Sequence, residues 1–191
     1  MKFDYLDIGT CNFETSLDLM PAGSTALMVE PLFHYLTQLP NLPGVIKAPF
    51  AISNFCGYEK IFHVPFAASE SGSLPYWVKG CNSFSKPHPT ISSLNNVEQT
   101  ATLVPVLTLK KLCEIYQIDD VCHFKVDTEG HDHIILEQLM PLVLGWNLQS
   151  IQFEYLDAFA NTAQLDLIID DFKKMGYRHT TIQGDNLIMT R

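Results

Sequence analysis

Apolar residues recur along the chain in short runs that alternate with segments of helical period. Runs rich in β-branched and aromatic residues predict strands over 3–9, 24–31, 44–53, 57–67, 102–108, 121–127 and 148–155. We expect the strand over 57–67 to pair back on its predecessor as a hairpin. Helices are predicted after Thr108, over 133–145 and over 162–175, and two short strands about a Gly-Asp turn close the chain. This alternation is typical of an α/β domain with a largely parallel sheet.

One long segment, over 69–100, interrupts the alternation. Ser, Gly, Pro and Asn dominate it, it has no sustained period, and it is too long for an ordinary connection. It also contains Tyr76, Trp77 and Phe84, and aromatic residues are unusual in disordered linkers. We therefore predict a functional loop, with a disordered linker as the alternative.

Composition limits the cellular setting and the partners. The 191 residues, 47% of them hydrophobic, suit a single domain with a sizeable core. A net charge of −9 disfavours nucleic acid and anionic membrane surfaces as partners. The five cysteines form no CxxC pair, and no apolar run approaches the roughly 18 residues of a membrane span. We expect a cytoplasmic protein.

The residues that follow the first two predicted strands indicate a nucleoside site. The first strand ends in "DIGTCNFET", which places Asp7 and Gly9 at the strand end, and the second ends in Glu30. In a doubly wound sheet, ligands bind at this edge, and a carboxylate there can accept from both ribose hydroxyls. The stretch lacks the full G-x-G-x-x-G that a pyrophosphate needs. It fits a nucleoside with an amino-acid tail, such as S-adenosylmethionine, better than a nicotinamide cofactor.

Three segments together resemble the FkbM-type family of S-adenosylmethionine-dependent methyltransferases: "DIGTCNFET" with "LMVEP", "TLVPVLTLKKLCEIYQID", and "HFKVDTEGHDHIIL". The resemblance implies a class I methyltransferase fold, a Rossmann-like three-layer sandwich. Its seven-stranded, mostly parallel sheet has an antiparallel last strand. The cofactor-binding residues that it implies are Asp7, Gly9, Thr10, Cys11, Asn12, Glu30, Pro31, Ala51, Ile52 and Asp127. The first motif departs from the family pattern, with Cys11 at the usual Asn position and Phe13 at the second glycine.

Catalytic candidates cluster in "KVDTEGHDH". The resemblance places Asp127 toward the methyl group, and Glu129, His131 and Glu154 are further candidates for a base or a positioning group. Metal binding by Asp127, Glu129, His131 and His133 is disfavoured, because strand alternation and the turn at Gly130 point them apart. His131 or Asp132 is expected to cap the following helix.

In the loop over 69–100, Trp77, Asn82 and Ser83 are candidate contacts to the acceptor. The leading hypothesis is O-methylation of a hydroxyl on a sugar or small natural product. The alternatives are a non-catalytic cofactor-binding module, suggested by the altered first motif, a divalent-metal-assisted methyltransferase, and a nicotinamide-dependent oxidoreductase. Relatives carry structure before the first strand, so we also expect a partner subunit, which could be a second copy, to complete the cover of the cleft.

Overall fold

The described part of the chain folds into two β-sheets and six α-helices. A computed structural model describes residues 1–84, 89–92, 94, 97–155 and 161–191. Within this part of the chain the strands are β1 (Lys2–Ile8), β2 (Ala26–Val29), β3 (Val45–Ala48), β4 (Ala51–Ile52), β5 (Gly57–His63), β6 (Thr100–Leu107), β7 (Asp120–Val126), β8 (Ser150–Glu154), β9 (His179–Gln183) and β10 (Asn186–Thr190). The α-helices are α1 (Phe33–Gln38), α2 (Phe66–Ser69), α3 (Pro89–Ser92), α4 (Leu109–Tyr116), α5 (Asp132–Val143) and α6 (Thr162–Lys174).

The main sheet has seven strands in the order β3-β2-β1-β7-β8-β10-β9. Neighbouring strands are parallel from β3 to β8, and β10 runs antiparallel to both β8 and β9. The α/β class, the mostly parallel sheet and the terminal hairpin are thus confirmed. From β1 the chain adds strands on one side of the sheet (β2, β3), and from β7 it adds them on the other side (β8, β10, β9). The carboxyl ends of β1 and β7 therefore flank the crevice where such sheets bind ligands.

Helices cover both faces of this sheet. Alternate strand residues such as Leu27 and Val29 join the core formed with α4, α5 and α6. The intervening Ala26 and Met28 pack instead against α1 on the opposite face. Thr108 caps the start of α4: its side chain accepts a hydrogen bond from the Lys111 amide.

The second sheet is small and was not predicted. Its order is β4-β6-β5, and β5 pairs antiparallel with β6 along its whole length. The predicted hairpin between 57–67 and its predecessor is therefore wrong. The predicted single strand over 44–53 is also wrong, because Pro49, which has no amide donor, separates β3 in the main sheet from β4 in the second. A tight turn, closed by the Phe50 amide on the Ala48 carbonyl at 3.0 Å, carries the chain between the sheets.

The predicted loop over 69–100 contains only short helical turns where the structure describes it. A 3-10 helix spans Tyr76–Lys79, and Ser83 forms an isolated bridge with Phe62 of β5. The prediction for 85–88, 93 and 95–96 lies outside the described residues. Among the described helices, none combines the length and the apolar character needed to cross a membrane.

Candidate functional site

The site lies where β1, β2, β7 and β8 end side by side. The backbone after β1 makes a very close approach to the backbone after β7 at Gly9. Gly9 has a φ of 80°, and a Cβ at this position would lie 1.8 Å from the carbonyl oxygen of Asp127. The Gly9 amide donates to Val29 and the Asp127 amide donates to Ile8, both at 2.9 Å. Only glycine fits here, and residues 9–14, which we call the glycine loop, leave β1 directly over the site.

A narrow cavity of about 50 Å³ opens on one side of Gly9. Its walls come from the strand ends, from β4 and β5, and from residues 80–84. Most of them are apolar. The residues predicted to bind the cofactor that line it are Gly9, Cys11, Glu30, Pro31, Ala51, Ile52 and Asp127. Asn82 and Ser83, predicted to contact the acceptor, line this same cavity instead.

Glu30 is buried at the rim of the narrow cavity, with 3% of its surface exposed. Its Oε2 accepts from the Cys11 amide at 2.9 Å, and its Oε1 accepts from the Leu32 amide at 2.7 Å. Burial raises the pKa of this carboxyl to about 7, although the two amide hydrogen bonds oppose the shift. Each carboxylate oxygen has a second lone pair, so Glu30 can accept from a ligand while it holds the glycine loop.

A wide cavity of about 410 Å³ lies on the other side of Gly9. It shares Gly9, Cys11, Gly80 and Asp127 with the narrow cavity, so the two spaces meet around the glycine loop. Carboxylates and aromatic rings provide most of its remaining wall, namely Phe13, Glu14, Tyr76, Trp77, Glu129, Glu154 and Asp185. Thr10 lines this space, as does Trp77, one of the predicted acceptor contacts.

Three of the four predicted catalytic residues come together in the wide cavity. Asp127, Glu129 and Glu154 each offer a carboxylate oxygen, and these three atoms lie within 4.8 Å of one another. Lys125 Nζ lies 3.3 Å from Asp127 and 4.0 Å from Asp7, and only 8% of the lysine side chain is exposed. Burial lowers the pKa of Lys125, but the two carboxylates outweigh it and the net shift is upward. A buried ammonium ion therefore balances part of the negative charge beneath the acids.

His131 is not brought to these acids. It lines the narrow cavity, where its Nε2 lies 2.9 Å from Ser53 Oγ and its ring meets Phe84 edge to face at a centroid distance of 5.0 Å. Burial, followed by the charge of His133, lowers the pKa of His131 to about 4. The imidazole is thus neutral at pH 7. It lines a different cavity from Glu129, so the structure does not support the prediction that it acts as a base beside that residue.

Asp7 and Asn12, both predicted to bind the cofactor, line neither cavity. Asp7 is fully buried, and it accepts from the Ser16 amide at 2.7 Å while facing Lys125. The Asn12 side chain donates to Gln38 at the surface. In this structure both side chains therefore make structural contacts. Asp7 thus holds the chain just after the glycine loop, and Asn12 ties the loop itself to α1.

Asp132 is a functional residue that the sequence identified only as a helix cap. The structure places His131 before the first residue of α5 without a side-chain cap hydrogen bond. The Asp132 carboxylate accepts from the Thr128 amide at 2.8 Å, from the Thr128 hydroxyl, and from the Glu154 amide at 3.0 Å. Burial raises its pKa to about 6. Asp132 thus ties the loop after β7 to the end of β8, the two segments that carry Glu129 and Glu154.

Residues 76–84, which we call the cover segment, pack on the glycine loop. The Cys11 thiol donates to the Lys79 carbonyl at 3.3 Å, and the rings of Phe13 and Tyr76 meet edge to face at 5.8 Å. A Cβ on Gly80 would lie 2.8 Å from Phe13 Cζ, so this contact is close. The segment lines both cavities, so it covers residues predicted to bind the cofactor as well as those predicted for the acceptor.

Comparisons with protein-family models, curated proteins and solved structures give no match for this chain. The fold and the site therefore define its class by themselves. The chain is an α/β protein with a seven-stranded, mostly parallel sheet flanked by helices, an arrangement compatible with a Rossmann-like fold. Its two joined cavities lie at the carboxyl ends of the central strands.

Proposed function

We propose that the protein is an S-adenosylmethionine-dependent methyltransferase of the class I type, acting on a hydroxyl of a sugar or small natural product. The observation that carries the proposal is the position of two residues at the ends of β1 and β2: Gly9 lies where the two cavities meet, and Glu30 lines the narrow cavity. The strand order with an antiparallel last strand supports it, since the FkbM-type resemblance implies the same sheet. The choice of oxygen as the acceptor atom rests on the resemblance alone.

The residues present fit this cofactor. The narrow cavity has apolar walls for a purine, and Glu30 at its rim has lone pairs left for ribose hydroxyls. Gly9 lines both cavities where they meet, and Thr10 lines the wide cavity where an amino-acid tail would lie. When bound, S-adenosylmethionine supplies an electrophilic methyl group on a sulfonium centre.

The acids of the wide cavity would serve the acceptor. A hydroxyl nucleophile must be held in line with the methyl group and must lose its proton, so the chain has to provide positioning and a base. Glu129 and Glu154 lie beside Asp127, and Asp132 ties the loop that carries Glu129 to the end of β8, which carries Glu154. We assign the base to one of these two glutamates and the acceptor contact to Trp77.

Calorimetry with S-adenosylhomocysteine tests the cofactor assignment. We expect micromolar binding to the wild-type protein, at least tenfold weaker binding to Glu30→Gln, a loss of about 1.4 kcal/mol, and no binding of NAD. Gln keeps one acceptor oxygen for the amides that Glu30 holds, and circular dichroism checks the fold of the variant. The matched control is Glu59→Gln on the exposed strand β5, which should bind as the wild type does.

Three outcomes would change the proposal. Unaltered affinity in Glu30→Gln would remove the ribose assignment, and preferential NAD binding would favour an oxidoreductase. Tight binding of S-adenosylhomocysteine without transfer to any hydroxyl acceptor would favour the non-catalytic binding module. A cytoplasmic location and a homo-oligomer remain part of the proposal.

The grouped carboxylates favour one second candidate, a divalent-metal-assisted methyltransferase. Three hard oxygen ligands within 4.8 Å suit Mg²⁺ or Mn²⁺. This candidate predicts that Mn²⁺ binds the wild-type protein with an affinity that Glu129→Gln lowers at least tenfold, as followed by the electron paramagnetic resonance of free Mn²⁺. Binding that is equally weak in both proteins would contradict it.

A further inference from the structure

The narrow cavity is too small for the nucleoside that the proposed function requires. Its volume is about 50 Å³, and one buried water needs about 10–15 Å³ on this scale, so the cavity holds about four waters. A purine with its ribose is several times larger, and sites that hold small molecules measure about 300–1,000 Å³. At least one wall of the cavity must therefore move before a nucleoside enters.

Strand pairing fixes much of this wall. Ile8 on β1, Ile52 on β4 and Ile61 on β5 lie in paired strands, and their movement would break backbone hydrogen bonds of both sheets. The cover segment forms a further part of the wall, through residues 80–84. Its other edge, residues 76–80, rests on the glycine loop. The cover segment is thus the wall that can move without disrupting a strand ladder.

Side-chain contacts hold the edge of the cover segment on the glycine loop. The Phe13 ring is central to them: it meets the Tyr76 ring edge to face at 5.8 Å, and Lys79 Nζ lies 5.4 Å from its centroid. Gly80 passes so close to this ring that a Cβ would lie 2.8 Å from Phe13 Cζ. The Cys11 thiol, a weak donor, bonds the Lys79 carbonyl at 3.3 Å. These contacts form and break without any change in secondary structure.

The remainder of the cover segment is anchored. It shares a small hydrophobic cluster that is separate from the main core and contains Val64, Val78, Cys81 and Ile91. This cluster preserves the packing of the segment when its edge moves. Farther along, two backbone hydrogen bonds of 2.8 and 3.1 Å join Ser83 to Phe62 of β5. An anchored end and an edge held by side chains together make a flap that pivots near Ser83.

We propose that the cover segment is a gate for the cofactor, whose edge lifts off the glycine loop to admit the nucleoside and then closes over it. The inference rests on the proposed function, which supplies the nucleoside, and it assigns Phe13 and Cys11 as the contacts that hold the gate closed. Cys11 is only 6% exposed beneath the segment, and it lines both cavities. Opening of the gate therefore exposes its thiol to solvent.

Alkylation of Cys11 by iodoacetamide measures this opening without any cofactor, with mass spectrometry of the Cys11 peptide as the readout. Since the opening is local, the wild-type rate should hardly change with urea below the unfolding transition. Gly80→Ala, whose Cβ collides with Phe13, should raise the rate at least about fivefold. Tyr76→Leu, which removes the ring contact, should raise it as well. The urea midpoints show whether each variant is folded.

Gly57→Ala is the matched control for the Gly80 variant. Gly57 lies on β5 outside both cavities, and the nearest atom to its added Cβ would be 3.7 Å away, an ordinary contact. This variant should be alkylated at Cys11 as the wild type is. Wild-type labelling that rises with urea as steeply as global unfolding does would overturn the gate. An unchanged rate in both Gly80→Ala and Tyr76→Leu would also overturn it.

Stopped-flow binding of S-adenosylhomocysteine connects the gate to the cofactor. Trp77 lies in the cover segment, so tryptophan fluorescence follows the segment. We expect the observed binding rate to level off at high ligand concentration, where opening limits it, and the plateau to rise at least about threefold in Gly80→Ala. A rate that stays proportional to concentration, with one slope in both proteins, would overturn the gate. An absence of binding would overturn the proposed function, while the alkylation of Cys11 decides independently whether the segment opens.

Discussion

Replacing Gly9 by alanine tests the close approach on which the site is built. The substituted residue would keep a φ of 80°, which costs a side chain about 1–2 kcal/mol. Its Cβ would also lie 1.8 Å from the Asp127 carbonyl oxygen, so the ends of β1 and β7 must separate by more than about 1 Å. That movement breaks the bonds from Asp127 to Ile8 and from Gly9 to Val29, each worth about 1 kcal/mol. We expect a total loss of about 3–4 kcal/mol.

Gly23→Ala is the matched control for this variant. Gly23 has a φ of 87°, and nothing lies within 4 Å of the position its Cβ would take. The control therefore carries the conformational cost without the collision, about 1–2 kcal/mol. Equilibrium unfolding in urea gives both values. If the two variants lose stability to within 1 kcal/mol of each other, the backbone approach at Gly9 does not constrain the fold as argued.

Three further predictions concern buried or capping groups. The pKa of Glu30 in the folded protein, about 7, lies above its ordinary value of 4.5. Its contribution to stability is therefore full below pH 4.5 and is lost as the pH rises through 7. Between pH 4.5 and 7 the free energy of unfolding in urea should fall by about 3 kcal/mol. In Glu30→Gln this decrease should be smaller, whereas Glu59→Gln should show the same decrease as the wild type. Thr108→Ala should lower the urea midpoint by the equivalent of about 1 kcal/mol through loss of the α4 cap, whereas Thr108→Ser should not. Asp132→Ala should cost about 2–3 kcal/mol in the same assay, since it leaves the Thr128 and Glu154 amides unpaired, while Asp170→Ala at an exposed position should cost less than about 0.5 kcal/mol.

The spacing of apolar residues predicted most strands of the main sheet and the helices α4, α5 and α6, because each of these elements buries a face of its own. It did not predict the short helix α1. The strand over 121–127 and the helix over 162–175 have local patterns that no tertiary contact overrides. The second sheet could not be predicted in this way. β6 lies nearly 40 residues after its partner β5, and only the assembled chain decides that β5 pairs forward with β6 rather than back with its predecessor.

The grouping of the three acids, Asp127, Glu129 and Glu154, could be predicted in part for a similar reason. Asp127 and Glu154 end neighbouring strands, and the sequence order of strands in an α/β sheet indicates that they approach one another. The direction of His131 depends instead on the turn before it, where Glu129 has a φ of 51° and Gly130 a φ of 89°. Strand alternation no longer applies after such a turn, so the histidine faces the other cavity. The hydrogen bonds from the Thr128 and Glu154 amides to Asp132 likewise form only once β7 and β8 lie side by side.

A crystal structure of the protein with S-adenosylhomocysteine tests the account most directly. We predict the purine in the narrow cavity, the ribose hydroxyls at Glu30, and the thioether sulfur beside Gly9, facing Asp127 in the wide cavity. A ligand bound elsewhere on the sheet, or a purine in the wide cavity with Glu30 contacting only Cys11 and Leu32, would contradict it.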